Sequence, residues 1–257
     1  ADSAFLLAAA VRALGPANVV AATGYSDSLP EAERDPARAF AESLGVEVLT
    51  PQTHEMEREG YRANAGDRCF FCKAELLDVL TPLAADRGIA HVATGTNADD
   101  AVAGFRPGIR AADERGAITP LLDAGLTKEQ VRAASRRWEL PTWDKPAAAC
   151  LSSRVAYGVE VTPYRLARVE RAEAAARATL AGVGLRHLRV RDLGESASVE
   201  IDATLLPLDP ALEAELVDAV RRAGFDAAAL DPRGFRSGSM NEALASGTGS
   251  PPLGTGT

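Results

Sequence analysis

The first half of the chain alternates short apolar runs with amphipathic segments, and this alternation constrains the fold more than any other feature. Strands that alternate with helices at short spacing build a parallel sheet with helices on both faces. We therefore predict an α/β fold, with ligands bound at the carboxyl ends of its strands. In chain order, the predicted elements are a helix at 3–14, a strand at 18–23, a helix at 31–44, a strand at 46–49, a helix at 72–87, a strand at 89–94 and a helix at 127–138. The last of these helices begins with a capping box formed by Thr127 and Gln130.

The second half is patterned differently and predicts a smaller α+β domain. Helices are predicted at 164–180 and 211–223, and alternating residues predict paired strands at 187–192 and 198–201. A segment rich in proline, glycine and serine separates the halves, and we interpret it as a linker and active-site loop. The predicted boundaries are 1–142 for the first domain, 143–163 for the loop, 164–244 for the second domain and 245–257 for a low-complexity, disordered tail.

The composition narrows the class of protein. The 257 residues carry a net charge of −8, which argues against a large nucleic-acid surface. No apolar run approaches the ~20 residues that a membrane helix needs, and no signal peptide is visible. Three cysteines are an odd number, which argues against a disulfide framework, so we expect reduced thiols in a cytoplasmic protein.

Asp2 and Ser3 open the first predicted helix, and this position has two interpretations. The unpaired amides and the dipole of a helix N-terminus favour an anion, so the pair could cradle a phosphate. Plain N-capping of the helix explains the same residues, and on this feature alone it is favoured.

A polar segment follows the third predicted strand and is a second candidate for nucleotide binding. Gly95 allows close approach to the backbone, and Thr96 and Asn97 can contact a sugar or a phosphate. Asp99 and Asp100 could hold Mg²⁺ on a polyphosphate. A polar turn with an aspartate cap is an equally good interpretation of the segment.

The three cysteines are Cys69 and Cys72, spaced as Cys-x-x-Cys, and Cys150 in a central block, Trp143–Gly158. Three thiolates without an evident fourth ligand suit a [4Fe–4S] cluster that keeps one iron open, whereas structural zinc takes four ligands. Spacing alone also allows three unrelated buried thiols, or a redox dithiol at Cys69 and Cys72 with a separate Cys150. The three histidines show no ligand spacing.

Arg154, Arg189 and Arg191 form a third group of candidate residues. Arginine recognises phosphate through a bidentate fork that stays charged, and residues two apart on a strand point to the same side. Arg189 and Arg191 could therefore clamp one anion. Glu200, on the partner strand, could pair with them or bind a cation. A solvated strand face with exposed ion pairs is the alternative.

Taken together, the motifs of the chain resemble the LarE-type ATP-dependent sulfur transferases, which are N-type ATP pyrophosphatases. The resemblance covers nearly all of 1–244, and the central block is its most specific part. The matching segments are Asp2-Ser3, similar to the end of a Ser-Gly-Gly-x-Asp-Ser loop, Gly95–Asp100 with Arg106–Gly108, Pro120–Leu121, Gly125–Lys128, Trp143–Pro146, Cys150–Arg154 with Tyr157–Gly158, and Arg236–Glu242.

The resemblance implies a PP-loop fold and a function in making the nickel-pincer cofactor of lactate racemase. ATP with Mg²⁺ would adenylate a carboxylate of pyridinium-3,5-biscarboxylic acid mononucleotide, pyrophosphate would leave, and sulfur would replace the activated oxygen as AMP is released. In some members a single cysteine at the position of Cys150 donates its own sulfur, whereas others bind a [4Fe–4S] cluster with three cysteines. With Cys69, Cys72 and Cys150, this chain resembles the cluster type. A homo-oligomer, often a hexamer, is implied by analogy alone.

The resemblance also implies the roles of individual residues. The implied ATP contacts are Asp2, Ser3, Thr23, Tyr25, Gly95, Thr96, Asn97 and Asp100, with Asp99 or Asp100 on Mg²⁺. The implied contacts to the substrate phosphate are Arg154, Arg189 and Arg191, and Glu200 is a candidate cation ligand. The first strand and the Ser-Gly-Gly of the phosphate loop are absent from this sequence. Because the downstream motifs are intact, we expect truncation rather than a degenerate loop.

Two other functions stay open at the level of sequence. A tRNA-thiolating relative would have the same ATP loop and three cysteines, although the acidic balance and the lack of a basic RNA-binding domain argue against it. A non-enzymatic module that binds a nucleotide or a metal would suit the absent glycines.

Overall fold

The computed structural model describes residues 1–102, 104, 106–146, 149–236, 238 and 240. The chain divides into two compact units. The first unit comprises Ala1–Tyr61 and Asp67–Ala148, and the second comprises Arg62–Gly66 and the chain from Ala149 onward. The tail predicted at 245–257 lies outside the described residues.

The first unit has the predicted α/β fold, a parallel sheet with helices on both faces. Strands β1 (Val20–Ala22) and β2 (Glu47–Leu49) pair in parallel register. The helices along this part of the chain are α1 (Asp2–Leu14), α2 (Glu31–Ser43), α3 (Glu59–Arg62), α4 (Arg68–Asp86), α5 (Ala98–Val102), α6 (Pro107–Asp113), α7 (Pro120–Asp123) and α8 (Lys128–Arg137).

The run predicted as a strand at 89–94 forms a single parallel bridge, between Ala93 and Ile118. Ile118 donates its N–H to the carbonyl of Val92 and accepts the N–H of Thr94. The ladder ends there because Pro120, which starts α7, has no N–H to continue it. The segment still ends where the sequence predicts, just before Gly95.

Helix α4 begins at Arg68, four residues before the predicted start at Cys72. Tertiary packing explains the extension: Phe71 lies directly against Gly60, where an added Cβ would come within 2.1 Å of the ring. This aromatic contact stabilises the first turn of α4, which the apolar periodicity of the segment does not predict. As a result, Cys69 and Cys72 both lie in the first turns of one helix.

The core of the first unit forms where α1 meets α8. The ring of Phe5 stacks on that of Trp138 with centroids 4.9 Å apart. The guanidinium of Arg12 covers Trp138 at 4.0 Å. The buried residues of this cluster are Phe5, Ala8, Leu121, Val131 and Leu140. Burying this apolar face holds the N-terminus of α1 in a defined place.

The second unit is the predicted small α+β structure. Its elements are α9 (Pro163–Thr179), β3 (Leu188–Asp192), β4 (Ser196–Ile201), α10 (Pro210–Arg222) and β5 (Ala227–Leu230). Strand β4 lies in the centre, antiparallel to β3 and parallel to β5. The sheet buries Leu188, Val190, Val199 and Ile201 completely. Strand β5 was not predicted, because alanine has little strand propensity of its own.

Residues 62–66 belong to the second unit, although first-unit residues flank them in sequence. Asn64 is fully buried and takes a positive φ of 53°. Its side-chain amide donates to the carbonyls of Val155, Ala156 and Val159 at 3.3, 2.8 and 2.8 Å. A single side chain thus secures the loop that follows Cys150–Arg154. Among the described helices, none has both the length and the apolar character needed to cross a membrane.

Candidate active site

The structure brings two predicted ATP-binding segments together in the first unit. Gly95 lies against the first turn of α1, and a Cβ added there would come within 2.8 Å of the backbone nitrogen of Ser3. Only glycine allows this approach. The N-terminus of α1 has Ala1 as its cap residue and no side-chain capping bond. N-capping by Asp2 or Ser3, the simpler interpretation of the sequence, is therefore not what the helix uses.

Asp2 is the most unusual polar group at this helix end. One carboxylate oxygen forms an ion pair with Lys128 Nζ. The other, Oδ1, is buried and has no hydrogen-bond partner among the residues that the structure describes. A buried acceptor without a donor is costly and is often explained by a missing ion, water or ligand. The arrangement fits a group that would bind here, such as a divalent cation on a polyphosphate.

Three basic side chains surround the start of α1, and sequence reasoning assigned none of them a role. Lys128 pairs with Asp2, and Arg132 and Lys145 lie close enough to Ala1 for their charges to act there. Lys145 Nζ pairs with Glu33 at 2.5 Å, and Arg132 donates to the carbonyl of Lys145 at 3.2 Å. The sequence pointed to two of these residues through their position alone, because Lys128 and Lys145 lie in segments that match the family motifs.

The acidic residues after Gly95 are engaged with the backbone. The side-chain oxygen of Asn97 accepts the N–H groups of Asp99 and Asp100 at 3.0 and 3.2 Å, so Asn97 holds the start of α5. Asp99 accepts the N–H of Lys128 at 2.8 Å. Thr96 Oγ1 lies 3.3 Å from Thr94 Oγ1. These contacts tie the loop to α8, and a role of Asp99 or Asp100 on Mg²⁺ stays a prediction.

Thr23 and Tyr25 extend from the carboxyl end of β1, the edge at which ligands bind in parallel sheets. The N–H of Thr23 donates to Leu49 O at 3.0 Å, and that of Tyr25 donates to Pro51 O at 2.8 Å. Both predicted ATP contacts therefore have a backbone position defined by the neighbouring strand. Their contact with a nucleotide stays a prediction.

None of the three cysteines forms a disulfide, and they are divided between the two units. Cys69 is exposed and Cys72 is half-buried, both on α4. Cys150 is half-buried at the start of a 3-10 turn, Leu151–Arg154, in the second unit. Within the described residues, no three histidine, cysteine or acidic side chains form a metal-binding group. The hypothesis that the three sulfurs meet stays a prediction.

The predicted arginines gather in the second unit, and their ion pairs are buried rather than exposed. Arg154 pairs with Glu173 at 2.9 Å and also donates to the carbonyl of Cys150 at 2.8 Å. Arg191 pairs with Glu200 at 2.8 Å and donates to the carbonyl of Ser153 at 3.1 Å. The carboxylate of Glu200 is thus engaged by a guanidinium, and its role as a cation ligand stays a prediction.

The pKa of Arg189 shows the effect of the positive charge in this cluster. Burial lowers the pKa of Arg189 to about 10, and repulsion from Arg154 and Arg191 adds to the effect while Glu173 opposes it. Its guanidinium lies 5.5 Å from the ring of Phe235, which stacks on His187. A cation held beside other cations gains from a bound anion, so the cluster suits a phosphate.

Comparison with known proteins places these sites in a family. An uncharacterized protein of Synechocystis is 40% identical over 245 residues, which cover 95% of this chain and 89% of that protein. The pyridinium-3,5-bisthiocarboxylic acid mononucleotide synthase of Lactiplantibacillus plantarum is 31% identical over 243 residues, 95% of this chain and 86% of the synthase. An uncharacterized protein of Methanocaldococcus jannaschii is 28% identical over 174 residues, 68% of this chain and 66% of that protein. No protein-family model matches the chain.

The alignment with the synthase extends over nearly the whole of both chains, so it includes residues of both units and the central block. Similarity of this extent is not confined to a shared nucleotide-binding motif. The chain therefore belongs to the LarE-type family, that of the pyridinium-3,5-bisthiocarboxylic acid mononucleotide synthase.

Proposed function

We propose that this protein is an ATP-dependent sulfur transferase of nickel-pincer cofactor biosynthesis. Its substrate is pyridinium-3,5-biscarboxylic acid mononucleotide, of which it adenylates a carboxylate and replaces an oxygen by sulfur. The observation that carries the proposal is the N-terminus of α1, where a buried oxygen of Asp2 has no partner in the described part of the chain and three basic side chains lie close by. A helix N-terminus surrounded by cations is a site for a polyphosphate.

The first unit supplies the activation step. A carboxylate is a poor electrophile because its leaving group would be oxide, whereas its adenylate releases AMP. Lys128 and Lys145 would neutralise the charge that develops on pyrophosphate as it departs, together with the amides of Asp2 and Ser3. Asp2, with Asp99 or Asp100, would hold Mg²⁺, which would compensate the charge on the phosphates.

The second unit supplies the substrate site. Arg189 and Arg191 lie two residues apart on β3, and Arg154 approaches from the 3-10 turn that follows Cys150. Their convergence fits the phosphate of a mononucleotide, which is dianionic near neutral pH. Because Arg154 also donates to the carbonyl of Cys150, the phosphate site and the central cysteine are joined through one side chain.

We further propose that Cys69, Cys72 and Cys150 hold a [4Fe–4S] cluster in the cytoplasm. Three thiols, without a fourth protein ligand among the described residues, fit a cluster with one open iron, which would supply a site for sulfide. The exposure of Cys69 and the half-exposure of Cys72 and Cys150 fit residues that must reach a common group. The alternative is that Cys150 gives up its own sulfur and becomes dehydroalanine. Cys150 lies in the second unit and the other two cysteines lie in the first, which supports this alternative.

Anaerobic turnover tests the proposal. The chain, and a version with Ser-Gly-Gly placed directly before Ala1, are reconstituted with iron and sulfide and incubated with ATP, Mg²⁺ and the pyridinium substrate. We expect pyrophosphate, AMP and a product heavier by the difference between sulfur and oxygen, with ~4 Fe per chain. Absence of pyrophosphate release in both versions contradicts the adenylation.

Cysteine variants separate the two sulfur sources. Cys69→Ser and Cys72→Ser should abolish iron binding and multiple turnover if the cluster operates. A single turnover that survives in both variants, with Cys150 losing about the mass of H₂S, identifies the sacrificial route instead. Multiple turnover without bound iron contradicts the cluster.

A further inference from the structure

A buried carboxylate lies behind the loop that follows β1. Glu55 is 3% exposed, and its Oε1 accepts hydrogen bonds from the hydroxyls of both Ser26 and Ser28 at 2.5 Å. The two hydroxyls lie 2.9 Å from each other, and the N–H of Ser28 donates to Ser26 Oγ at 3.2 Å. One oxygen of Glu55 therefore organises both serines and the turn between them.

The same loop is held by a second side chain and by the adjoining strand. Arg34 Nη2 donates to the carbonyls of Ser26 and Leu29 at 3.3 and 3.5 Å, and its guanidinium lies 5.3 Å from the ring of Tyr25. The carbonyl of Tyr25 accepts the N–H of Thr53 at 2.9 Å. The loop 25–29 is thus fixed through side chains as well as backbone.

A structural role alone does not explain a carboxylate at this position. Burying an ionised group costs several kcal/mol unless hydrogen bonds compensate it, and an apolar side chain would fill the same space without that cost. The carboxylate differs from an apolar side chain in that it orients hydrogen-bond donors: it fixes the positions of the two hydroxyls on either side of Asp27. Asp27 itself is exposed at the tip of the loop.

We propose that Glu55 is a positioning residue for ATP, which fixes the loop 25–29 at the carboxyl end of β1 in the conformation that receives the nucleotide. This inference rests on the proposed ATP-dependent function, because Thr23 and Tyr25 are the contacts expected there. Glu55 does not touch ATP and acts through Ser26 and Ser28. Its loss should therefore weaken ATP binding while leaving the chemical step largely intact.

The test measures ATP affinity by calorimetry and the ATP dependence of pyrophosphate release. Glu55→Ala should raise Kd and KM for ATP about tenfold with kcat within about twofold. Glu55→Gln should stay within about threefold of wild type, because its carbonyl oxygen can accept both hydroxyls. Ser28→Ala should fall between the two.

Ser135→Ala is the matched control for Ser28→Ala. Ser135 is a fully buried serine of the same unit, and its hydroxyl donates to the carbonyl of Val131 at 2.7 Å. Both changes remove one buried hydroxyl bond, so a comparable loss of thermal stability is expected. Only Ser28→Ala should change the ATP affinity.

Unchanged ATP affinity in Glu55→Ala, or an equal change in Ser135→Ala, overturns the inference. Should Glu55→Ala fail to fold, the contrast of Ser28→Ala with Ser135→Ala decides in its place. A wild-type chain that binds ATP but forms no thiocarboxylate contradicts the proposed function alone, and the calorimetry still tests Glu55. A wild-type chain that does not bind ATP overturns both.

Discussion

The two units hold their positive charge in different ways. Around the start of α1, the side chains of Lys128 and Lys145 are 34% and 35% exposed, and their partners Asp2 and Glu33 are 21% and 28% exposed. In the second unit, Arg191 and Glu200 are 8% and 4% exposed, and Arg168 and Asp192 are 8% and 0% exposed. The first unit thus uses half-exposed lysines, and the second uses buried arginines.

The difference concerns how readily each set of charges can change partners. A half-exposed lysine is a flexible point charge whose ion pair contributes little to stability, so it can turn to a polyphosphate at small cost. A buried guanidinium in several hydrogen bonds is already oriented, and removing its partner leaves an uncompensated charge. We therefore expect changes in the second unit to affect folding, and changes in the first to affect ligand binding.

The largest expected effect is the loss of Asp192. Its carboxylate accepts from Arg165 at 2.9 Å, from Arg168 at 2.7 and 2.9 Å, and from the N–H of Gly194 at 2.9 Å. Asp192→Ala should lower the free energy of unfolding by about 3–5 kcal/mol, because it leaves two guanidinium groups in or near the core without their partner. Urea denaturation measures this.

The matched control is Asp218→Ala. Asp218 pairs with Arg222 on the exposed surface of α10 in the same unit. Removal of this pair should change the free energy of unfolding by no more than about 0.5 kcal/mol. Equal effects of the two changes would contradict the distinction between buried and exposed pairs.

Arg189 is the exception within the second unit, and its substitution should reduce ligand binding rather than stability. Burial and neighbouring arginines lower its pKa to about 10, so the folded state disfavours its charge. Arg189→Gln should weaken binding of inorganic phosphate by about 10- to 100-fold, the loss of a charge-assisted hydrogen bond, with the midpoint of urea unfolding unchanged or higher. Calorimetry with phosphate, beside Arg222→Gln as control, measures this.

The pH dependence gives a second measurement on Arg189. A lowered pKa means that the folded protein releases this proton before the unfolded chain does, so its charge does not stabilise the fold below that pKa. Phosphate binding to wild type should weaken as the pH rises through about 10, where Arg189 loses its proton. A binding constant that is flat across this range in wild type would contradict the lowered pKa of Arg189, and the Arg189→Gln variant then decides its contact with phosphate.

A smaller effect is expected at Lys145 in the first unit. Lys145→Met removes the pair with Glu33 and one of the cations near α1. ATP affinity should fall about tenfold, whereas the free energy of unfolding should change by less than about 0.5 kcal/mol. The difference between wild type and variant should narrow as salt is raised, because half-exposed charges are screened. A loss of stability comparable to that of Asp192→Ala would remove the contrast between the units.

The smallest expected effect is on acid stability. In the first unit, the bond from Arg115 lowers the pKa of Asp78, with burial opposing it and Arg58 adding to it. A lowered aspartate pKa stabilises the fold above the unfolded value and loses that stabilisation as pH falls through the folded value. Asp78→Asn should therefore cost up to about 1 kcal/mol at neutral pH and almost nothing near pH 2. Denaturation at both pH values measures this, and a constant difference would contradict the assignment.

Local patterns predicted most of the elements correctly. Helix 3–14 is found as α1 (Asp2–Leu14), and the capping box at the start of α8 is present, with Thr127 Oγ1 accepting the N–H of Gln130 and Gln130 Oε1 accepting that of Thr127. The strand predicted at 187–192 is β3 (Leu188–Asp192). These features depend on residues within a few positions of each other, so the sequence contains the information that determines them.

Contacts between distant residues were not predictable in this way. The turn of α4 that contains Cys69 depends on Phe71 against Gly60, and β5 depends on pairing with β4 rather than on its alanines. Glu55 gave no sequence signal, because its serine partners lie 27 and 29 positions away. For Lys128 and Lys145, the sequence showed only that they lie in segments that match the family motifs, and it indicated no role for either.

The sequence by itself determined the alternation of strands and helices, the arginine pair of β3 and the residue types of the candidate sites, because propensity, periodicity and chemical identity are local. Only the tertiary structure decided which of these residues meet. It brought Gly95 to the first turn of α1, surrounded that helix end with cations and buried Glu55 behind the loop 25–29. The reason is that the packing of distant segments determines both burial and the choice of charged partners, and no pattern of neighbouring residues encodes it.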